Sequence, residues 1–180
     1  MSFFSKLKTF EHDGRIAVAD RIEDIPTCSG PFSRFSGALC PYNPLNDREE
    51  REIIEFMRVR MQTKKENAVF ASNFSGFLQR ELPAPLHRTF DDLSRIFKNV
   101  TGNKNCLALL RANSRHPQEP HSHEVTMTYT MTGLGTVAFN AKGIPYHAPA
   151  KHIFIMGQDV RHMASQEFPA DHPKLTFVIG

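Results

Sequence analysis

The segment from His121 to Thr132 leaves this chain the least conformational freedom. Thr126, Thr128, Thr130 and Thr132 alternate with Val125, Met127, Tyr129 and Met131, and a period of two fits an extended strand and no helix. Threonine, valine and tyrosine also favour strands, because their side chains pack well on a pleated surface. The strand is entered through Pro120-His121-Ser122-His123-Glu124. Imidazoles at i and i+2 point the same way only on extended backbone, which makes a two-nitrogen grip for a divalent metal. Alternation puts His123 on the face of Val125, Met127, Tyr129 and Met131. The expectation is therefore an inward histidine face that is apolar and buried, with the threonines on the other side.

A third ligand has to come from another strand. His162 is the candidate, since it follows the apolar run Ile153-Phe154-Ile155-Met156 and the turn at Gly157. His147 and His152 are the alternatives. Seven of the nine histidines fall after residue 115, so the chemistry is expected in the second half of the chain.

Strand signals run from Asn105 onward: Cys106 to Ala112, His121 to Thr132, Thr136 to Asn140, His152 to Met156, Arg161 to Ser165 and Leu175 to Ile179. Gly133-Leu134-Gly135 marks a turn. Short strands linked by turns predict an antiparallel barrel or jelly roll. Six are fewer than a double-sheet roll needs, so part of it comes from the first half or is absent. Residues 1 to 102 read as loop and helix. Breakers from Pro26 to Pro44 predict a loop over 26 to 46. Asn46 or Asp47 caps a helix carrying Ile53, Met57 and Met61 on one face. A weaker helix is expected over 67 to 81. A third has Thr89 and Asp92 as its capping pair and ends at Gly102. The fold class is α+β: a helical N-terminal half (1–102) packed on a C-terminal antiparallel jelly-roll barrel (103–180), together one compact unit.

The net charge of +3 is spread along the chain, without the basic stripe that announces nucleic acid. Met1-Ser2-Phe3-Phe4-Ser5-Lys6 reaches charge too soon for the apolar core of a signal peptide, and no later stretch is long and apolar enough to span a bilayer. A cytoplasmic protein with no membrane partner is expected, with a small-molecule substrate and a homodimer left open. Cys28, Cys40 and Cys106 lack the spacing of a zinc knuckle or a disulfide framework and read as packing residues.

The order His-x-His, then Gly133 and Gly135, then Gly157-x4-His162 resembles the double-stranded β-helix of cupins and iron-dependent oxygenases over about the last 75 residues. Within it, Leu110-Arg111, Gly133-x-Gly135-Thr136, Arg161-His162-Met163-Ala164 and Lys174-Leu175-Thr176 are similar to the uncharacterised bacterial DUF1826 family. The resemblance implies a non-haem metal, Fe(II) first and Zn or Ni next, on His121, His123 and His162. For an oxygenase it implies a dry pocket around that metal, lined by Met127, Tyr129, Met131 and Phe154, with Tyr129 as the catalytic candidate that orients a bound oxygen species. In 2-oxoglutarate-dependent members a basic residue two before a Ser or Thr holds the far carboxylate of the cosubstrate, which here matches Lys174 and Thr176. His123 stands where those members have a carboxylate, and Glu124 points the other way on a regular strand. A three-histidine cupin, catalytic or merely metal-binding and ligand-sensing, is the rival reading. Two positions remain open for Lys174: pocket anchor, or solvated lysine if Leu175, Phe177 and Ile179 face the barrel interior. Arg111, a cofactor-binding candidate with Lys174 and Thr176, and Arg161 are alternative anchors for an anionic substrate, because a guanidinium grips a carboxylate bidentately.

Overall fold

Strand β6 (Thr126–Thr132) has both faces buried, and the architecture follows from covering each of them. The computed structural model describes residues 7–9, 16–25, 37–71, 81–112, 119–121, 125–133, 135–139, 142–157, 160–164 and 174–180. The remaining elements in chain order are β1 (Leu7–Thr9), β2 (Ile16–Ala19), β3 (Gly37–Pro41), α1 (Asp47–Thr63), β4 (Ala68–Phe70), α2 (Ala84–Thr101), β5 (Ala108–Ala112), β7 (Thr136–Phe139), β8 (Pro145–His147), β9 (His152–Met156), β10 (Arg161–Ala164) and β11 (Leu175–Ile179). A large sheet has the order β1-β2-β3-β9-β6-β11-β5-β4, and a small one the order β10-β7-β8. His121 joins the free edge of β10 through an isolated antiparallel bridge to His162. Counting from β5 with the His121 segment as second, the first, third, sixth and eighth strands lie in the large sheet and the others in the small one. This is a jelly roll whose strands switch sheets in a fixed rhythm.

The two helices cover one face of the large sheet. Ile53 and Met57 of α1 and Leu86, Phe90, Leu93 and Phe97 of α2 form one cluster with Leu110, Met127, Tyr129, Met131, Ile153, Ile155, Phe177 and Ile179. Burying each such side chain contributes roughly 1.5–3 kcal/mol, and Phe90 meets Phe177 edge to face at 5.4 Å. The small sheet covers part of the other face, where Leu39, Phe154 and Met156 pack with Ala138, Ala148, Val160 and Tyr146.

The N-terminal region is not a helical half. Strands β1 to β4 extend the large sheet on both sides, and α1 and α2 are the helices of 17 and 18 residues among the described residues. Residues 37 to 41, expected in a loop, form β3 against β9, where Gly37 admits the Ile155 carbonyl at 2.7 Å from where a Cβ would sit. The helix expected over 67 to 81 gives way to β4, paired with β5; residues 72–80 lie outside the described residues. Alternating half-buried and buried positions at 68 to 70 match a strand.

Helix α1 starts as read, with Asn46 Oδ1 accepting from the amides of Arg48 and Glu49, and Glu49 Oε2 accepting from the Asn46 amide. Helix α2 starts earlier than read. Pro83 is its N-cap, and the Thr89 hydroxyl donates to the Pro85 carbonyl inside the helix rather than capping it. Gly102 ends it at φ 72°, where L residues with a Cβ are strained.

Gly135 locks the small sheet to the turn before β9. Its amide donates to the Ala148 carbonyl at 3.0 Å, and a Cβ there would collide with that same carbonyl. We expect Gly135→Ala to destabilise the protein by about 1–3 kcal/mol, read as a lower denaturant midpoint at unchanged m-value; an unchanged midpoint would mean the backbone shifts freely there.

Candidate metal centre

His121 and His162 are brought together by backbone pairing. The His121 amide donates to the His162 carbonyl at 3.0 Å, and the His162 amide donates to the His121 carbonyl at 2.7 Å. Residues directly opposite in an antiparallel pair share a face, and the two rings lie 4.8 Å apart between centroids. That face is the interior one. His162 is in register with Ala138, which packs against Leu39, Phe154 and Met156 of the large sheet.

Each ring is oriented by its own chain. His121 Nδ1 lies 2.9 Å from the Glu119 carbonyl and His162 Nδ1 lies 3.1 Å from the Val160 carbonyl. A carbonyl oxygen only accepts, so Nδ1 carries the proton and Nε2 the ligating lone pair in both rings. This is the outer-shell arrangement that orients metal-binding histidines. The pair therefore fits a divalent metal that takes imidazole nitrogen. His123 and Glu124 lie outside the described residues, and among the described residues no three His, Cys, Asp or Glu side chains form a metal-sized group.

The other candidates are not gathered there. His147 is exposed on β8, next to the inward Tyr146. His152 sits at the far end of β9 from Met156, its Nδ1 on the Ala150 carbonyl. Arg161 is exposed, with its guanidinium 3.4 Å from the Pro120 carbonyl.

The apolar face of β6 does not line this interior. Met127, Tyr129 and Met131 belong to the helix-side cluster, and Tyr129 stacks edge-on against Tyr42 at 5.2 Å and lies 5.9 Å from Phe177. Tyr129 is thus on the opposite side of the sheet from the His121–His162 pair, which removes it from contact with a metal there. Phe154 alone of the expected lining residues faces inward. The threonines do so instead: Thr136 of the small sheet donates to Thr128 at 2.9 Å, and the Thr130 and Thr176 hydroxyls are 3.2 Å apart.

Lys174 is the residue that sequence reasoning left open. Leu175, Phe177 and Ile179 face the helices rather than the barrel interior, so Lys174 and Thr176 turn toward the small sheet. Lys174 is only 1% exposed, and its Nζ donates to the Gly135 carbonyl at 3.2 Å, crossing between sheets. Burial pulls its pKa down from 10.5 to about 8. Arg111 lies on the same face, directly beside Thr176 in register.

No protein-family model matches the chain, and no curated protein sequence matches it. Its fold is shared with solved structures. A prolyl-4-hydroxylase of Pseudomonas putida is 10% identical with a TM-score of 0.56, covering 88% of this chain and 97% of that one. The non-heme alpha-ketoglutarate-dependent epimerase SnoN from nogalamycin biosynthesis is 10% identical with a TM-score of 0.54, covering 88% and 82%. The carbocyclase SnoK, also described as non-heme and alpha-ketoglutarate-dependent, is 8% identical with a TM-score of 0.53, covering 80% and 78%. The chain thus shares its fold with these three enzymes, and the jelly-roll expectation holds for its core. No helix among the described residues is long and apolar enough to cross a membrane.

A buried ammonium ion is a burden on the fold. Because the folded state releases the Lys174 proton near pH 8 and the unfolded chain near 10.5, the unfolded state binds more protons between those values, and stability rises with pH across that window. Below about pH 8 the cost is present in full. Lys174→Met is expected to stabilise the metal-free protein at pH 7 by up to about 3 kcal/mol, with a gain that shrinks toward pH 10.5; chemical denaturation at pH 7 and pH 10 checks both points.

Proposed function

We propose that this chain is a non-haem Fe(II) oxygenase-like enzyme that uses 2-oxoglutarate and acts on a small molecule. The observation that carries this reading is Lys174. A chain that buries an ammonium ion between two sheets, beside a hydroxyl pair, keeps an element that weakens its own fold. Such elements are retained where binding needs them.

In this reading His121 and His162 hold the metal through Nε2, and His123 completes the set. An Fe(II) ion bound there supplies redox chemistry and open coordination positions for dioxygen and a chelating 2-oxo acid. The Nδ1 hydrogen bonds to Glu119 and Val160 keep both rings aimed before the metal arrives. Lys174 and Thr176 would hold the outer carboxylate of 2-oxoglutarate, the ammonium as an ion pair and the hydroxyl as a second donor, both of them charge-assisted hydrogen bonds. The Lys174 ammonium exchanges the Gly135 carbonyl for that carboxylate, or keeps both. Phe154, Met156 and Val160 exclude water from the space between the sheets, which strengthens each of these contacts.

His123 in place of a carboxylate supports the rival three-histidine cupin, catalytic or metal-binding only; that cupin has no use for an inward Lys174. The two α-ketoglutarate-dependent fold neighbours support the first reading at the level of fold. The finer resemblance to the DUF1826 family belongs to the same proposal, as do a cytoplasmic location and a homodimer.

Elemental mass spectrometry of protein purified without an affinity tag tests the metal. Near-stoichiometric iron, zinc or nickel is expected, and His121→Ala and His162→Ala are each expected to lose most of it. Absence of metal from wild type after anaerobic Fe(II) loading would sink the ligand assignment. Calorimetry tests Lys174: 2-oxoglutarate affinity should be flat below pH 8 and then fall by about tenfold per pH unit as the ammonium deprotonates. Lys174→Met should bind at least about 100-fold more weakly, the loss of one charge-assisted pair. Equal binding by wild type and Lys174→Met would favour the three-histidine cupin.

A further inference from the structure

Strands β6 and β11 do not keep one register along their length. Ile179, Val178, Phe177 and Thr176 lie opposite Met127, Thr128, Tyr129 and Thr130, and then the pairing slips so that Leu175 lies opposite Thr132. An extra residue in one strand of a pair bends it and re-aims the side chains around it. The slip falls within Lys174-Leu175-Thr176, the segment that carries both cosubstrate anchors. Two threonines of β6 hold that segment. The Leu175 amide donates to Thr132 Oγ1 at 3.1 Å, and the Thr130 and Thr176 hydroxyl oxygens are 3.2 Å apart.

Burial decides the direction of the Thr130–Thr176 hydrogen bond. Two hydroxyls carry two protons and share one hydrogen bond, so one proton is left for another acceptor. Among the described residues each of these side chains bonds only to the other. Thr130 is 2% exposed, whereas Thr176 is half-buried. Were Thr176 the donor, the spare proton would sit on Thr130, with neither water nor protein to accept it, and a buried donor left unsatisfied is costly. With Thr130 as the donor, the spare proton sits on Thr176, where water or a ligand can take it.

We propose that Thr130 is a positioning residue: its hydroxyl donates to Thr176 and so fixes the Thr176 hydroxyl as a donor toward the carboxylate that Lys174 holds. The carboxylate rests on the oxygenase reading; the direction of the Thr130 hydrogen bond does not. An ionised carboxylate only accepts hydrogen bonds, so a hydroxyl serves it only while its proton is turned that way. Accepting from Thr130 occupies a lone pair of Thr176, and a hydroxyl that accepts is polarised into a stronger donor. Thr130 thus acts through Thr176.

Two measurements test the assignment, and the first needs no ligand. NMR of hydroxyl protons in the full chain without metal or cosubstrate should show a slowly exchanging Thr130 proton close to the β-proton of Thr176, and a Thr176 hydroxyl proton that exchanges with water. A Thr130 proton that exchanges as fast as that of Thr176, or a protected Thr176 proton directed at Thr130, overturns the proposal. The second is a double-mutant cycle on 2-oxoglutarate affinity, titrated by calorimetry into the Zn(II)-loaded full chain. Thr130→Val removes the hydroxyl at nearly the same shape and should weaken binding by about three- to tenfold, whereas Thr130→Ser should stay within about twofold of wild type. In a Thr176→Val background the same Thr130→Val change should cost less than about twofold, because its route to the ligand is gone. Equal losses in the two backgrounds, or no loss from Thr130→Val in a wild type that binds, overturn the proposal; thermal unfolding checks that each variant is folded. A wild type that binds no 2-oxoglutarate at about 10 mM sinks the oxygenase reading and the carboxylate with it, and the direction of the Thr130 hydrogen bond then stands or falls on the hydroxyl-proton spectrum.

Discussion

The demand that β6 bury both of its faces organises the molecule. A strand that pairs on both edges and is covered on both sides needs two different partners, one per face. The methionine and tyrosine side takes the helices, with area burial as the driving force. The threonine side takes a second sheet, because hydroxyls buried there have to find hydrogen-bond partners, and Thr128 with Thr136 and Thr130 with Thr176 provide them. The jelly-roll topology is the connectivity that delivers both layers from one chain.

The interior so made is polar at its centre and apolar toward Phe154 and Met156, which suits the recognition of a charged, compact ligand better than the packing of a core. Lys174 is the extreme case. Its Nζ donates to the Gly135 carbonyl, and burial still holds its pKa below the ordinary lysine value. By contrast, Tyr129 has a buried hydroxyl with no hydrogen-bond partner among the described residues, a penalty of about 1–3 kcal/mol on the side of the sheet that carries no candidate chemistry. A polar group under strain marks function only where the geometry around it converges on a ligand.

Local signals were legible where one element decides them alone. The Asn46 capping box, the Gly102 stop and the strands His152–Met156 and Leu175–Ile179 could be read because caps and period-two patterns are properties of a few neighbouring residues. The N-terminal strands were not. Gly37–Pro41 and Ala68–Phe70 are short and flanked by breakers or aromatic residues, and they become strands because β9 and β5 offer them edges. Pairing of that kind is a long-range interaction, absent from any local window. Nor was the start of α2: Thr89 and Asp92 make a capping pattern, but the Pro83–Pro85 segment begins the helix a turn and a half earlier.

By itself, then, the sequence determined that a two-periodic strand follows a His-x-His entry, that His162 is a second histidine on a later strand, and that Lys174 and Thr176 share a face. Each of these is set by alternation along the backbone. Which face of β6 meets the helices and which meets the chemistry was decided only in three dimensions, because alternation separates two sides without naming the partner of either. The same holds for bringing His121 to His162, 41 residues apart in sequence: the small sheet had to exist before those two rings could share a face.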